Sequence, residues 1–287
     1  KVSSAASDVY KRQTSPRSER VRRIAALAGR SARRKQGRFR VEGPQSVRSL
    51  LAERPDLTLE LYLTERCESD HPELAALAAA ARIPLHRVED PALRAMVREG
   101  EGALVTPQGA VAVGRLPQED ARSAVEAIGA QPAEGPLTVV VLHEVRDPGN
   151  VGTLIRTADA AGADLVVLTR TSADPYSPKA VRACAGSLFH LPVVTGGDID
   201  QVLAALAHSH VVAAATSGHA SLDLFEAELP ARIAWLLGNE AHGLDAATLE
   251  AAPLAVRIPL AGRAESLNVH TAATVCLFET LRRRGRG

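Results

Sequence analysis

Between Leu137 and Ile258 the chain returns five times to short runs that are apolar at nearly every position: Leu137–Leu142, Leu165–Leu168, Val211–Ala215, Ile233–Leu237 and Leu254–Ile258. A strand with one wet face alternates apolar and polar residues. These runs do not, so both of their faces must be covered. Amphipathic stretches of helical period lie between them, at about 151–160, 179–185, 198–207 and 245–251, and a last one covers about 267–284. Buried strands alternating with helices predict a doubly wound α/β domain built on a parallel sheet. Ligands of such sheets bind beyond the carboxyl ends of the strands, so the loops after these runs are where a site is expected.

Upstream the elements are shorter. A helical stripe (Val21, Ile24, Ala25, Leu27, Ala28) precedes a strand at Phe39–Val41, and Gly43-Pro44 opens a helix bearing Val47, Leu50 and Leu51. Strands at Leu57–Leu63, Pro84–Val88 and Gly109–Val113, with helices at His71–Ala81 and Pro91–Arg98, complete a small α/β domain over residues 17–114. Residues 115–136 contain Pro117, Pro132, Gly135 and Pro136 and read as a linker with some helix. The second domain is expected at 137–287. Residues 1–16 are polar and aperiodic and are expected to be disordered, their native origin left open.

Hydrophobic residues make up 46% of the chain, enough for two cores, but aromatics only 3%, so Ala, Val, Leu and Ile must build them. No apolar stretch reaches the roughly 18 residues of a membrane span, and the polar start leads us to expect no leader peptide. Cys67, Cys184 and Cys276 are far apart and form no CxxC. Neither a disulfide framework nor a metal site is expected, and a cytoplasmic location is. The net charge of +1 hides an uneven distribution. From Lys11 to Arg40 the basic residues include Arg17, Arg20, Arg22, Arg23, Arg30, Arg33, Arg34, Lys35, Arg38 and Arg40, with Glu19 the one acid, and Arg282, Arg283, Arg284 and Arg286 close the chain. Arginine forks bind phosphate bidentately, which points to RNA; a solvated basic tail is the plain alternative. Removing residues 1–36 is expected to weaken RNA binding and flatten its salt dependence.

Three polar clusters follow the apolar runs. The first is His143-Glu144-Val145-Arg146-Asp147-Pro148-Gly149-Asn150-Val151-Gly152, with Arg156 on the ensuing helix. Its Asp-Pro-Gly-Asn is turn chemistry, and Asn150 is a candidate helix cap. Arg156 sits on an otherwise apolar helix, where a solvated arginine would also fit. The second is Gly238-Asn239-Glu240-Ala241-His242-Gly243-Leu244, whose glycines allow close backbone approach. The third runs from Ile258-Pro259-Leu260 to Glu265-Ser266-Leu267-Asn268-Val269-His270, with Ser266 a candidate cap of the last helix. Singly, each is also an ordinary loop.

Together and in this order, the clusters resemble the SpoU (TrmH) family of RNA ribose methyltransferases, within the SPOUT superfamily. Ser177–Gly186 is similar to the family too, and Phe39–Pro44 looks like its N-terminal substrate-binding domain. The resemblance implies a C-terminal parallel-sheet methyltransferase domain with a trefoil knot, beside a smaller N-terminal α/β RNA-binding domain. It implies S-adenosylmethionine as cofactor, held by backbone at Thr216, Gly238, Ile258, Leu260 and Leu267. It implies a homodimer with Arg156 near the partner's cofactor, and methylation of a ribose 2′-hydroxyl, of rRNA rather than tRNA. Arg156 is then the catalytic group, with Asn150, Glu240, Ser266 and Asn268 orienting it and the loops. His270 stands where the family often has a small residue, and no role is assigned to it. Base methylation and an inactive RNA-binding homologue are the alternatives. A nucleotide-binding Rossmann enzyme is disfavoured, because no GxGxxG follows Leu142 and no Walker lysine is present.

Overall fold

The computed structural model describes residues 15–98 and 108–285. The expectation for residues 1–16 therefore falls, up to residue 14, outside the described residues. The chain divides into two compact units: residues 1–117 with Tyr176–His190, and residues 118–175 with Leu191–Gly287.

The first unit contains α1 (Glu19–Ala26), α2 (Arg30–Gln36), β1 (Arg38–Glu42), α3 (Pro44–Glu53), β2 (Thr58–Leu63), α4 (Glu65–Asp70), α5 (Pro72–Ala80), β3 (Leu85–Arg87), α6 (Asp90–Val97) and β4 (Ala110–Arg115). Its sheet has the order β1-β4-β2-β3, with β4 antiparallel to both neighbours and β3 parallel to β2. The helical stripe expected at Val21–Ala28 is α1; a second short helix that was not expected, α2, follows Gly29, and the side chain of Arg33 takes the carbonyls of Leu27 (2.9 Å) and Ala28 (2.8 Å) between them. Val21, Ile24 and Leu27 pack with Tyr62, Leu93, Met96 and Val113 into one core.

The second unit contains α7 (Ser123–Gly129), β5 (Leu137–Leu142), α8 (Pro148–Ala160) and β6 (Leu165–Leu168). After α9 (Pro178–Cys184), which belongs to the first unit, come β7 (Val193–Thr195), α10 (Ile199–His208), β8 (Val212–Thr216), β9 (Leu222–Asp223), β10 (Arg232–Leu237), α11 (Ala246–Ala251), β11 (Leu254–Arg257) and α12 (Val269–Arg284). The sheet has seven strands, β7-β6-β5-β10-β8-β11-β9, all parallel. β5 and β6 are buried at every residue, as their unbroken apolar runs require. On one face Val139, Val141, Val167, Ala213, Ala215 and Leu236 pack against α7 and α10 through Ala124, Ile128, Val202 and Leu206. Each Val, Leu or Ile side chain among them contributes about 1.5–3 kcal/mol on burial. On α12, the Thr280 hydroxyl accepts a hydrogen bond from the indole Nε1 of the fully buried Trp235 (3.0 Å). The supposed linker thus supplies a core helix, α7, and two short strands, β7 and β9, had no periodic signal of their own.

β10 lies between β5 and β8, although it follows both in the chain. The connections after β5 run to β6 and β7 on one side, and the later strands fill the other. The strand order reverses at the β5–β10 boundary, where doubly wound sheets open a crevice.

Candidate active site

The first two polar clusters leave adjacent strands. β5 and β10 pair in register to Leu142–Leu237, and the His143 N–H continues the ladder by donating to the Leu237 carbonyl (2.8 Å). Both loops therefore emerge side by side, and Glu240 reaches the first loop. Its Oε1 accepts from the Asp147 N–H (2.9 Å) and from the Asn150 side-chain amide (3.1 Å), and its Oε2 accepts from the Arg146 N–H (3.1 Å). Burial pushes the Glu240 carboxyl up, but those three donors outweigh it and hold it below its ordinary value. The anion is thus the form that fastens the two loops.

Asn150 does not cap α8. Asp147 does, its carboxylate accepting from the Asn150 N–H (3.0 Å), with Pro148 at the first helical position. Asp-Pro at a helix start was the signal that could have found it. Nor does Ser266 cap α12. Asn268 does, accepting from the His270 N–H (2.9 Å). Ser266 is exposed and makes no side-chain hydrogen bond among the described residues. The His270 imidazole meets the Thr157 hydroxyl at 2.9 Å. It packs the first turn of α12 on α8. Arg156 itself is exposed and forms no hydrogen bond or ion pair among the described residues. The structure thus joins Asn150 to Glu240 and docks the first turn of α12 on α8 through His270 and Thr157.

Two features of the loops escaped the sequence reading. Asn239 bridges them, its amide donating to the Glu144 carbonyl (3.1 Å) and its oxygen accepting from the Ala241 N–H (2.8 Å). Glu144 itself sits in the left-handed region (φ 57°), an unusual conformation for a non-glycine residue that the Asn239 contact helps to hold. Gly238 is dictated by space rather than by φ. A Cβ there would lie 2.4 Å from the Gly243 carbonyl carbon, because Asn239 and Gly243 exchange both backbone hydrogen bonds (2.9 Å each).

The five expected cofactor-binding residues cluster at the same edge. Thr216 ends β8, Gly238 follows β10 and Ile258 follows β11, on three neighbouring parallel strands. Leu260 (39% exposed) and Leu267 lie on the loop between β11 and α12. None of the five is charged, so this rim offers backbone N–H and C=O groups among small and aliphatic side chains. Among the described residues, no group of three or more His, Cys, Asp or Glu is arranged to hold a metal ion, and no helix is long and apolar enough to cross a membrane.

Residues 137–278 match the SpoU rRNA Methylase family. The chain is 31% identical to the 23S rRNA (guanosine-2'-O-)-methyltransferase RlmB of Pseudomonas putida, over 85% of this chain and 96% of that protein. It is 32% identical to the 23S rRNA (guanosine(2553)-2'-O)-methyltransferase RlmP of Bacillus subtilis, over 92% of this chain and 96% of that one. The crystal structure of an AdoMet-bound rRNA methyltransferase from Sinorhizobium meliloti superimposes with a TM-score of 0.77 at 29% identity, covering 96% of this chain and 98% of the other.

Proposed function

The chain belongs to the SpoU rRNA Methylase family, and from that premise we propose that it methylates a ribose 2′-hydroxyl of rRNA with S-adenosylmethionine as donor. The observation that carries the reading is the Glu240 clamp on Asn150 and the Arg146 and Asp147 N–H groups, beside the neutral rim at the ends of β8, β10 and β11. That rim fits the donor: backbone groups can pair with an adenine edge and aliphatic side chains can cover its faces.

S-adenosylmethionine, when bound, supplies a methyl group on a positively charged sulfur. The chain's residues supply the rest. The 2′-hydroxyl is a poor nucleophile, and its oxygen gains negative charge as its proton leaves. Arg156 is permanently charged and so is no base. Its exposed guanidinium, uncommitted within the fold, holds a neighbouring phosphate or stabilises the developing alkoxide. Asn150 and Glu240 fix the loop that launches α8, and Asn268 fixes the start of α12, so the rate comes largely from positioning. Ser266 is assigned to the third loop, beside the substrate.

Four finer statements belong to the same reading. The division into an RNA-gripping part over 17–114 and a catalytic part over 137–287 is supported by the arginines exposed on α1 and α2. A homodimer is supported by Phe278 and Leu281, apolar side chains 43% and 41% exposed on α12. A trefoil knot is supported by the late strand β10 lying between β5 and β8. A cytoplasmic location follows from the substrate.

Radiolabelled methyl transfer to rRNA and tRNA, followed by nuclease mapping, tests the function. We expect label in rRNA at a nucleotide that resists cleavage at its own 3′ phosphate. Label at a cleavable site would mean base methylation, label in tRNA alone would change the substrate, and no label in either would overturn the activity.

A further inference from the structure

The first unit contains a cavity of about 290 Å³ that the proposed chemistry does not use. It opens where β1 turns into α3. Gly43 makes that turn with φ 86°, and the Gln108 Oε1 lies 2.7 Å from where a Cβ on Gly43 would sit, so only glycine leaves the amide in place. The wall behind is braced. Arg40, 1% exposed, donates from Nε to Glu42 Oε1 (3.0 Å) and from its two terminal nitrogens to the carbonyls of Met96 (2.7 Å) and Val97 (2.9 Å), tying β1 to the end of α6.

Three polar side chains line this cavity with nothing to bind. Ser46 is 6% exposed, yet its hydroxyl has no partner among the described residues. Among the described residues the fully buried side-chain atoms without a partner are Arg232 Nε and Arg284 Nε, so the Ser46 hydroxyl is open to the cavity, where a ligand can bond it. The amides of Gln45 and Gln108 are likewise uncommitted among the described residues. All three are neutral, and together they offer both donors and acceptors. Arg182 also lines the cavity, its Nη1 3.4 Å from Glu42 Oε2, a carboxylate that it shares with the buried Arg40. Leu93 and Val97 supply apolar surface. The volume is roughly ten times the ~30 Å³ share of one water and near the lower bound of small-molecule cavities. A lone phosphate would leave it mostly empty and would have to compete with the Glu42 carboxylate for Arg182.

A planar, uncharged group with donors and acceptors on its edge and apolar faces fits better. We propose that this cavity receives an unpaired nucleobase of the RNA, making Ser46, Gln45 and Gln108 a second, non-catalytic reading site that helps select the substrate. The proposal rests on RNA being the partner. Sequence-specific RNA recognition works largely through such splayed-out bases.

The test uses the full chain with its cofactor site saturated by S-adenosylhomocysteine. AMP, GMP, CMP and UMP are titrated separately and followed by saturation-transfer NMR. We expect at least one to show stronger transfer to base protons than to ribose protons. Ser46→Ala and the double variant Gln45→Ala/Gln108→Ala should each weaken its binding about 5- to 10-fold, as loss of one or two neutral hydrogen bonds implies. Melting temperature should not change, because these groups bond nothing among the described residues. Equal binding by wild type and variants, competition by inorganic phosphate at matching concentration, or no base signal from any nucleotide would overturn the proposal. No methyl is transferred in this assay. A binding signal here with no label in the transfer assay would therefore overturn the activity alone.

Discussion

Arg156 and Arg40 are the same residue type with opposite fates. Arg40 is spent inside the fold on Glu42 and three backbone carbonyls, whereas Arg156 is exposed and uncommitted among the described residues. Removing Arg156 should therefore cost activity without cost to folding. Arg156→Ala is expected to lower single-turnover methyl transfer at least about 100-fold, as loss of an electrostatic stabiliser does, with melting temperature and S-adenosylmethionine affinity unchanged. Near-wild-type transfer would remove Arg156 from the chemistry. A second residue, Glu279, carries the acid response. Hydrogen bonds from Arg282 (2.6 and 2.7 Å) and Arg283 (2.7 Å) hold its carboxyl down at about 2, against an ordinary 4.5. A carboxyl lowered by folding adds stability above its unfolded value and loses it as pH falls toward the folded one. The melting-temperature gap between wild type and Glu279→Gln should thus be full above about pH 5 and close toward pH 2. A gap independent of pH would mean that the side chain acts by packing alone.

At the scale of elements, the loop ends decide more than the helices and strands they join. Gly238→Ala would drive a methyl into the backbone of Gly243 and Leu244. The 239–243 loop must then shift, and S-adenosylmethionine affinity by calorimetry should fall at least about tenfold, a loss near 1.4 kcal/mol. Unchanged affinity would take this loop out of the cofactor site. The basic entry also needs sorting by element. Arg33 and Arg40 are structural, so they are not part of an electrostatic footprint. Arg22, Arg30, Arg34 and Lys35 stand exposed on α1 and α2. Deleting residues 1–36, a natural experiment from the sequence, would strip Val21, Ile24 and Leu27 from a core and unfold what it meant to test. Changing those four exposed residues to Gln should instead lower the slope of log affinity against log salt by up to about 3, near 0.7–0.9 for each phosphate no longer neutralised, while the melting temperature holds. An unchanged slope would reduce them to a solvated face.

For the whole molecule, the proposed trefoil knot makes a mechanical prediction. Stretched from its two ends, the unfolded chain should end measurably shorter than the ~3.5 Å per residue of a fully extended strand allows, because a tightened knot stores contour. A full-length contour would exclude the knot. The parallel sheet was legible in the sequence because it rests on local signals: runs such as Leu137–Leu142 that cannot tolerate water on either face, and helical periods between them. The candidate site at the strand ends, with Asn150, Glu240 and Asn268 as its proposed members, rests on ordered motifs that were legible in the sequence. The tertiary structure decided the rest. That Glu240 closes on a loop about 90 positions earlier depends on β10 pairing beside β5, and that Arg33 and Arg40 are consumed as structure depends on the carbonyls that the first unit's fold brings to them. That Tyr176–His190 joins the first unit depends on long-range packing of the same kind. Pairings between residues so far apart leave no periodicity to read, because the sheet, not the sequence order, makes them neighbours.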